Sequence, residues 1–349
     1  MITRIFSFIA LCALVACLSA CSGSQPSPDF LGSENVSSNP NPSTSDDSEL
    51  TISDVIDALV IPAADSEGLS TPSSSDQDDL ANVIIDLLNG ETSGHDQTLA
   101  ALGYELISAD FDDGSDTVLV LRESDTQSLS GGGTFIINTN STSKLILEVP
   151  HPTFDANTMD EGAFLLQELE ARALFIAGTH RCANAEESSC SGTTDACGAE
   201  GAHRVSDVAH AIDNYFHAAH IATSDDTANS IFISLHGYAQ GNDEPTVIVS
   251  NGTKVNVGAF AFINQLAAAF DSLFSGSDYA NSCNLNGNPD FDLCGTTNVQ
   301  GRYTNGSDNE CTAAPIGYNG RFIHMEQSAS LRDDITGWQI VADALAAVF

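Results

Sequence analysis

Positive charge is what this sequence has least of. Its 349 residues carry 10 Lys and Arg against 48 Asp and Glu, which gives a formal net charge of −38. Between Arg4 and Arg122 there is no Lys or Arg at all. Binding to nucleic acid requires a basic face that neutralises phosphates, so nucleic acid is excluded as a partner. The acidic surface also repels anionic lipid headgroups, so charge alone cannot hold the chain at a membrane.

Several common catalytic motifs are also missing. No Gly-x-Ser-x-Gly occurs, which excludes an esterase nucleophile elbow. The run Gly131-Gly132-Gly133 has no Lys after it, so it is not a phosphate-binding loop. The cysteines that follow residue 21 contain no Cys-x-x-Cys, so a thiolate zinc cluster is disfavoured.

The first 21 residues predict an export signal. Arg4 supplies a positive start, residues 5–17 are almost entirely apolar, and Leu18-Ser19-Ala20-Cys21 matches the bacterial lipobox. We therefore expect residues 1–20 to be a cleaved lipoprotein signal peptide. Cys21 would then carry an acyl group such as palmitate and anchor the chain in the lipid bilayer. Ser22, rather than Asp, predicts sorting to the bacterial outer membrane, on its periplasmic or its cell-surface side.

Six cysteines remain after the signal and the lipidated residue are removed. An even number in an exported chain predicts three disulfides, and the sequence leaves their pairing open. The six are Cys182, Cys190, Cys197, Cys283, Cys294 and Cys311.

The chain is predicted to hold one folded domain behind a tether. Residues 21–78 are acidic and rich in Ser and Pro, which predicts a flexible tether. Residues 79–349 begin with a helical pattern and strand-like runs, and after residue 150 helices alternate with short strands. This order predicts an α/β domain of a phosphorylase- or hydrolase-like kind. It would have a mixed, largely parallel sheet flanked by helices, with disulfide-rich loops.

Polar side chains follow three of the predicted strands. His151 and Asp155 come after the strand that ends near residue 149, His236 follows a second strand, and Glu326 a third. Because ligands bind beyond the carboxyl ends of parallel strands, we expect these four side chains to converge. His151, Asp155 and His236 would be the three protein ligands of one catalytic Zn²⁺, with a fourth position left for water. Glu326 would be the general base that takes a proton from that water.

The scarce cations are candidates for binding the substrate. Arg181 follows a predicted strand and could grip a substrate carboxylate with two hydrogen bonds, and Asn184 could assist it. Arg302 is a further candidate for an anionic group, although any of these cations could instead pair with the abundant carboxylates.

The other histidines have plainer expected roles. We expect two of them to form hydrogen bonds in the cysteine-rich loop and three to pack on a helix that begins at Ser206. These five are His180, His203, His210, His217 and His220. The alternative for the three on the helix is that they bind a metal ion. His324 alternates with its neighbours on a strand, so it could face the site or the other side of the sheet.

The segments that carry these residues resemble the metallocarboxypeptidase-like zinc hydrolases. The resemblance rests on His151-x-x-x-Asp155, on Ser-Leu-His-Gly at 234–237 and on Ile-His-Met-Glu-Gln-Ser-Ala-Ser-Leu-Arg at 323–332. It covers roughly residues 144–349. The branch it is most similar to contains phage-type poly-γ-glutamate hydrolases and N-formylglutamate amidohydrolases.

This resemblance implies a mixed sheet flanked by helices, one zinc ion and a Glu general base. Carried over by position, the roles of zinc ligands fall on His151, Asp155 and His236, and that of the base on Glu326. The family uses His-x-x-Glu, whereas here the acid is Asp at a longer spacing. Glu161 or Asp160, on the helix that follows, could therefore stand in for it.

Three functional hypotheses follow from the sequence. The first is a zinc-dependent hydrolase of peptide or γ-glutamyl-type amide bonds at the cell surface. The second is a non-catalytic surface lipoprotein, with a binding or structural role, on an inactive hydrolase scaffold. The third is a calcium-stabilised adhesin module, suggested by the Asn- and Asp-rich loop 286–292, although that loop lacks the closing Glu of an EF-hand.

Overall fold

The computed structural model describes residues 50–288 and 293–349. The signal peptide, Cys21 and residues 21–49 of the tether lie outside the described residues, as do positions 289–292 of the Asn- and Asp-rich loop. The helices are α1 Ile52–Asp57, α2 Ser74–Leu88, α3 Asp96–Leu102, α4 Thr158–Glu168, α5 Tyr215–Asp226, α6 Phe262–Leu273, α7 Val299–Thr304, α8 Ala329–Arg332 and α9 Ile335–Ala346. The strands are β1 Tyr104–Asp110, β2 Thr117–Glu123, β3 Thr134–Ile137, β4 Leu145–Val149, β5 Ala173–Ile176, β6 Thr193–Thr194, β7 Gly201–Ala202, β8 Ile231–Gly237, β9 Val247–Ser250, β10 Ala280–Ser282 and β11 Phe322–Gln327.

Most of these strands form one large mixed sheet. Its order is β1-β2-β3-β5-β4-β8-β11-β9-β10. The four central strands β5, β4, β8 and β11 run parallel, whereas β1, β2 and β3 extend one edge in antiparallel pairs. The strands β6 and β7 form a separate small hairpin. The predicted α/β fold, with a mixed sheet flanked by helices, is therefore confirmed.

Two apolar layers cover the two faces of the sheet. On one face, Leu147, Ile233 and Met325 of the central strands pack in a core with residues of α1, α4, α6 and α9. On the other face, Phe232 and Phe322 pack in a second core with residues of α2 and α5. Side chains alternate along a strand, so His236 of β8 and His324 and Glu326 of β11 lie on the face that α2 and α5 cover.

The folded region begins earlier than the sequence predicts. Thr51 caps α1 with a reciprocal hydrogen-bond pair to Asp54, and Ile52, Val55 and Ile56 of this helix are buried in the core. The prediction of a tether up to residue 78 is therefore wrong for residues 50–78. Their apolar side chains are few but sufficiently well spaced to dock one short helix against the sheet layer.

Three disulfides join the six predicted cysteines. The pairs are Cys182–Cys197, Cys190–Cys311 and Cys283–Cys294. The disulfide-rich loops predicted from the sequence are thereby confirmed. Within the described residues, no helix is long and apolar enough to cross a membrane.

Candidate metal centre

The candidate ligands lie at the ends of two adjacent parallel strands. Beyond β4 the chain makes a tight turn, in which the Asp155 amide donates to the His151 carbonyl at 2.9 Å. His151 and Asp155 therefore sit on one turn, four residues apart. His236 lies near the end of β8, the parallel neighbour of β4. The expected convergence at the carboxyl ends of the strands is what brings the three together.

Three ligand atoms face a common point. The Nδ1 atoms of His151 and His236 lie 3.2 Å apart, and Oδ2 of Asp155 lies 3.2 Å from the first and 3.4 Å from the second. Ligands of a tetrahedral zinc ion at about 2.0–2.1 Å lie about 3.3 Å from one another. The three side chains are 1%, 3% and 3% exposed. Donor type, spacing and burial all fit one metal ion, and His151, Asp155 and His236 could hold it.

The far nitrogen of each ligand histidine has a partner of its own. Nε2 of His151 lies 2.9 Å from Oδ1 of Asp207, and Nε2 of His236 lies 3.0 Å from Oγ of Ser234. Such contacts hold the orientation of the rings. A hydrogen donated from Nε2 of His151 to Asp207 would leave the Nδ1 lone pair of that ring for a cation. Neither Asp207 nor Ser234 was among the residues predicted from the sequence.

The protonation of the ligands suits a cation. Burial lowers the pKa of His236 to about 4, so its ring is neutral at pH 7. Burial alone would raise the pKa of Asp155, but hydrogen bonds from His151 and His236 lower it, so the carboxylate is ionised. For His151, burial and Arg181 lower the pKa, while Asp207 and Asp155 raise it to a net value above the usual one. A metal ion that binds Nδ1 of His151 therefore competes with a proton for this ring.

The candidate base lies beside the ligand set. Glu326 is paired in register with His236 across the parallel strands β11 and β8, and it is buried. Nε2 of His324 lies 3.1 Å from Oε1 of Glu326, and the His324 ring packs 4.3 Å from the His236 ring, centroid to centroid. Burial raises the pKa of Glu326, but the His324 hydrogen bond lowers it to a net value below the usual one. His324 therefore faces the site.

Arg181 lies next to the ligand set with part of its guanidinium engaged. Its Nε and Nη2 groups donate to Oδ2 of Asp207 at 3.0 and 2.5 Å, and the guanidinium lies 5.1 Å from the centroid of the Phe154 ring. Its Nη1 group donates to no described residue. Arg181 thus fixes the carboxylate that orients His151 and still has one amino group to offer.

Two other predicted substrate residues lie elsewhere. The side-chain amide of Asn184 accepts from the Leu69 amide and donates to the Leu69 carbonyl, both at 2.9 Å, so it clamps two loops. Arg302 lies on α7 and donates to backbone carbonyls, among them that of Thr296 at 2.9 Å. The structure does not bring Asn184 or Arg302 to the ligand set.

The alternative acids do not reach the ligand set. Glu161 lies on α4 and accepts a hydrogen bond from Nε2 of Gln327 at 2.8 Å. Gln327 alternates with Glu326 along β11 and so points to the opposite face of the sheet. Asp160 is half-buried on α4 and lines a cavity with Asp57 and Trp338, again on that face. Among these three acids, Asp155 is therefore the one that the structure brings to His151 and His236, and Glu161 and Asp160 lie apart from them.

Asp207 is the centre of a second histidine cluster. Its Oδ1 lies 2.9 Å from Nδ1 of His210 as well as from His151, and the rings of His203 and His210 stack at 3.7 Å. These residues lie in a loop, because the helix predicted from Ser206 begins at Tyr215, where Asn214 caps it by accepting from the His217 amide. The earlier start was predicted because Ser206 followed by Asp207 resembles the N-cap of a helix.

The other predicted structural histidines behave as such. Nδ1 of His180 accepts from the Cys182 amide at 3.0 Å. His220 on α5 lies 2.7 Å from Oε1 of Glu148 and 2.7 Å from Oγ1 of Thr304, all three being buried. His203 differs from the expectation, because neither of its ring nitrogens has a hydrogen bond to a described residue.

Known proteins are only distantly similar. No protein-family model matches the chain, and no curated protein matches it. Among solved structures, the zinc-free form of YndL is 11% identical with a TM-score of 0.34, over 70% of this chain and 89% of its own. A candidate carboxypeptidase A from Shewanella denitrificans is 12% identical with a TM-score of 0.29, over 76% and 66% of the two chains. A candidate metallopeptidase from Shewanella baltica is 13% identical with a TM-score of 0.29, over 81% and 96%. At scores this low, likeness carries no inference about activity.

Proposed function

We propose that this chain is a zinc-dependent hydrolase of peptide or γ-glutamyl-type amide bonds. The observation that carries the proposal is the trio of buried donor atoms, 3.2 to 3.4 Å apart, on His151, Asp155 and His236. Two imidazoles and one carboxylate make three protein ligands, the number typical of a hydrolytic zinc site, whereas a structural site has four.

Zinc, when bound, supplies a Lewis acid that polarises a carbonyl oxygen and makes water a better nucleophile at neutral pH. Asp207 and Ser234 hold the two ligand rings in place. Arg181, bonded to Asp207, keeps that carboxylate ionised and so strengthens its hold on His151. All of these contacts exist in the protein before a substrate arrives, which reduces the rearrangement needed for catalysis.

Glu326 is the proposed general base. Its lowered pKa keeps it ionised at neutral pH, so it can accept a proton from an attacking water molecule. His324, hydrogen-bonded to Oε1, orients the carboxylate towards the ligand set. Once protonated, Glu326 can give the same proton to the departing amine.

Arg181 is the proposed anchor for a carboxylate of the substrate. The Nη1 group is its remaining donor, and the Phe154 ring beneath the guanidinium is 39% exposed. A guanidinium that is already fixed on one side by Asp207 loses little rotational freedom when it binds an anion on the other.

The proposed place of action is the outer membrane of a bacterium, on its periplasmic or cell-surface side. The lipobox at Cys21 supports attachment to the bilayer through an acyl chain. Three disulfides are typical of an oxidising compartment and support export.

Three variants of the purified chain test this function. We expect His236→Ala to lose stoichiometric zinc, measured by elemental analysis, whereas His180→Ala, which changes a histidine outside the ligand set, should keep it. Glu326→Gln should keep zinc and lose the hydrolysis of a test peptide and a γ-glutamyl amide by about 10²–10⁴-fold.

The outcomes separate the hypotheses. A wild-type chain without zinc, or a His236→Ala variant with unchanged zinc, refutes the metal centre. Zinc binding without hydrolysis of either substrate would instead favour a non-catalytic lipoprotein on a hydrolase scaffold.

A further inference from the structure

A cavity outside the ligand set is lined by two of the ten basic residues of the sequence. It has a volume of about 480 Å³ and is lined by Arg302 and Lys254, together with Thr253, Thr296 and Ala314. Lys254 is one of only two lysines in the sequence. Lys254 already has an interaction of its own, so the charge that matters for a ligand in this cavity is that of Arg302.

Arg302 is the main feature of this cavity. Its side chain is only 4% exposed, and its Nε and Nη1 groups donate to the carbonyls of Thr296, Glu310 and Cys311 and to the hydroxyl of Ser191. No described carboxylate lies within ion-pair distance of it. Its Nη2 group donates to no described residue.

A buried guanidinium with no carboxylate beside it among the described residues is unusual on energetic grounds. Carbonyl and hydroxyl oxygens accept from Nε and Nη1, but they do not neutralise the charge, which is costly to remove from water. An anion that enters the cavity would supply the missing negative charge. Planar carboxylates match the guanidinium geometry best.

A loop segment links the cavity wall to His324, the neighbour of the proposed base. Thr296, on its wall, follows Gly295, and Gly295 is pressed against the His324 ring: a Cβ atom built there would lie 2.6 Å from that ring. His324 in turn contacts Glu326. One short loop segment therefore forms part of the cavity wall and also backs the histidine that orients the proposed base.

We propose that this cavity binds a carboxylate group, with Arg302 as its counter-ion. The carboxylate could belong to a free dicarboxylate or to an acidic residue of a longer substrate that is distant from the cleaved bond. Both sources offer the same chemistry to Arg302, and they can be separated by experiment.

Removal of Arg302 is a poor test, because its hydrogen bonds hold the loop around Cys311 and the variant could fail to fold. A substitution at Ala314 avoids this difficulty, since the residue lines the cavity and is exposed. Ala314→Glu places a carboxylate in the cavity, and Ala314→Gln is the uncharged control of nearly equal size.

The first measurement is calorimetric binding of glutarate to the full chain at low ionic strength. We expect wild type and Ala314→Gln to bind, and Ala314→Glu to bind at least about tenfold more weakly, equivalent to ~1.4 kcal/mol. We also expect Ala314→Glu to melt at a higher temperature than Ala314→Gln, although an added acid should destabilise a chain this acidic at most other surface positions. Absence of glutarate binding to wild type, or equal binding by the two variants, overturns the proposal.

A second measurement separates the two sources and rests on the proposed function. If a substrate supplies the carboxylate, Ala314→Glu should raise KM for a peptide with an additional acidic residue, relative to Ala314→Gln, and leave KM for a neutral peptide unchanged. If KM is equal for the two variants while glutarate binding differs, the ligand is a free dicarboxylate. The calorimetric result stands whether or not the chain proves to be a hydrolase.

Discussion

A buried acid on the face of the sheet opposite the metal centre should make the stability of this protein depend on pH. Glu161 is fully buried on α4, and one of its oxygens accepts from Gln327 while the other has no hydrogen-bond partner among the described residues. Burial raises the pKa of Glu161 to about 8, although Gln327 and the charge of Arg332 act in the opposite direction. The side chain is therefore protonated in the folded protein at neutral pH.

The sign and size of the effect follow from proton linkage. Between pH 4.5, the ordinary value, and pH 8, the folded chain keeps a proton on Glu161 that the unfolded chain has lost. The free energy of unfolding therefore falls as the pH rises through this window, by ~1.4 kcal/mol per pH unit and by up to about 5 kcal/mol in total. Above pH 8 the loss is complete, and below pH 4.5 it is absent.

Glu161→Gln should remove this dependence, because an amide has no proton to lose and still accepts from Gln327. We would measure urea unfolding of both proteins from pH 5 to pH 9 and plot the difference, which cancels the other titrating groups. Relative to the wild type, the free energy of unfolding of Glu161→Gln should increase progressively as the pH rises. The variant should be more stable than the wild type by several kcal/mol at pH 9. Glu168→Gln, an exposed acid on the same helix, is the control and should show a flat difference. A flat difference for Glu161→Gln as well would refute the reasoning.

Three further predictions concern other contacts. Asp207→Asn should weaken zinc binding by about 10–100-fold in a chelator competition, because Asp207 orients the ligand His151. Asp213→Asn, which changes an exposed acid nearby, is the control and should bind zinc as the wild type does. Equal zinc affinities of the two variants would contradict the role given to Asp207. Thr304→Val should lower the free energy of unfolding in urea by ~1–3 kcal/mol, because it removes the buried hydrogen bond between Thr304 and His220. A change within the error of the measurement would count against this prediction. Replacing Cys190 and Cys311 together by Ser should cost ~2–5 kcal/mol in the same assay, and an unchanged midpoint would show that the bridge adds nothing.

The fold was largely predictable from local patterns. Short β-branched strands alternating with helices define the parallel centre of the sheet, and this periodicity is a property of the residues themselves. The start of α5 was not predictable in this way. Ser206 and Asp207 look like the beginning of a helix, but their side chains are used by Asn184, Arg181 and His151, which are distant in sequence. Likewise, α1 was missed because six residues carry too weak a signal without the core that covers them.

The candidate site was predictable where it depends on the ends of strands. His151, Asp155 and His236 come together because parallel neighbours present their carboxyl ends on one edge. The residues that orient these ligands were not predictable from the sequence. Asp207, for example, contacts His151 from a loop 56 positions away, and no local pattern indicates this contact. Arg302 was predicted as a further residue for an anionic group of the substrate, but it lies on α7 and away from the ligand set. The reason is that α7 follows a long cysteine-bridged loop whose path no local pattern defines.

The connectivity of the disulfides has a consequence for biogenesis. Cys190 lies between Cys182 and Cys197 in the sequence, yet Cys182 is bonded to Cys197. The partner of Cys190 is Cys311, which lies 121 residues later. If an oxidant linked the thiols in their order along the chain, it would join Cys182 to Cys190 first, and the product would be non-native. Maturation of this protein therefore depends on a thiol-exchange catalyst that reshuffles such errors, or on oxidation slow enough for folding to choose the partners.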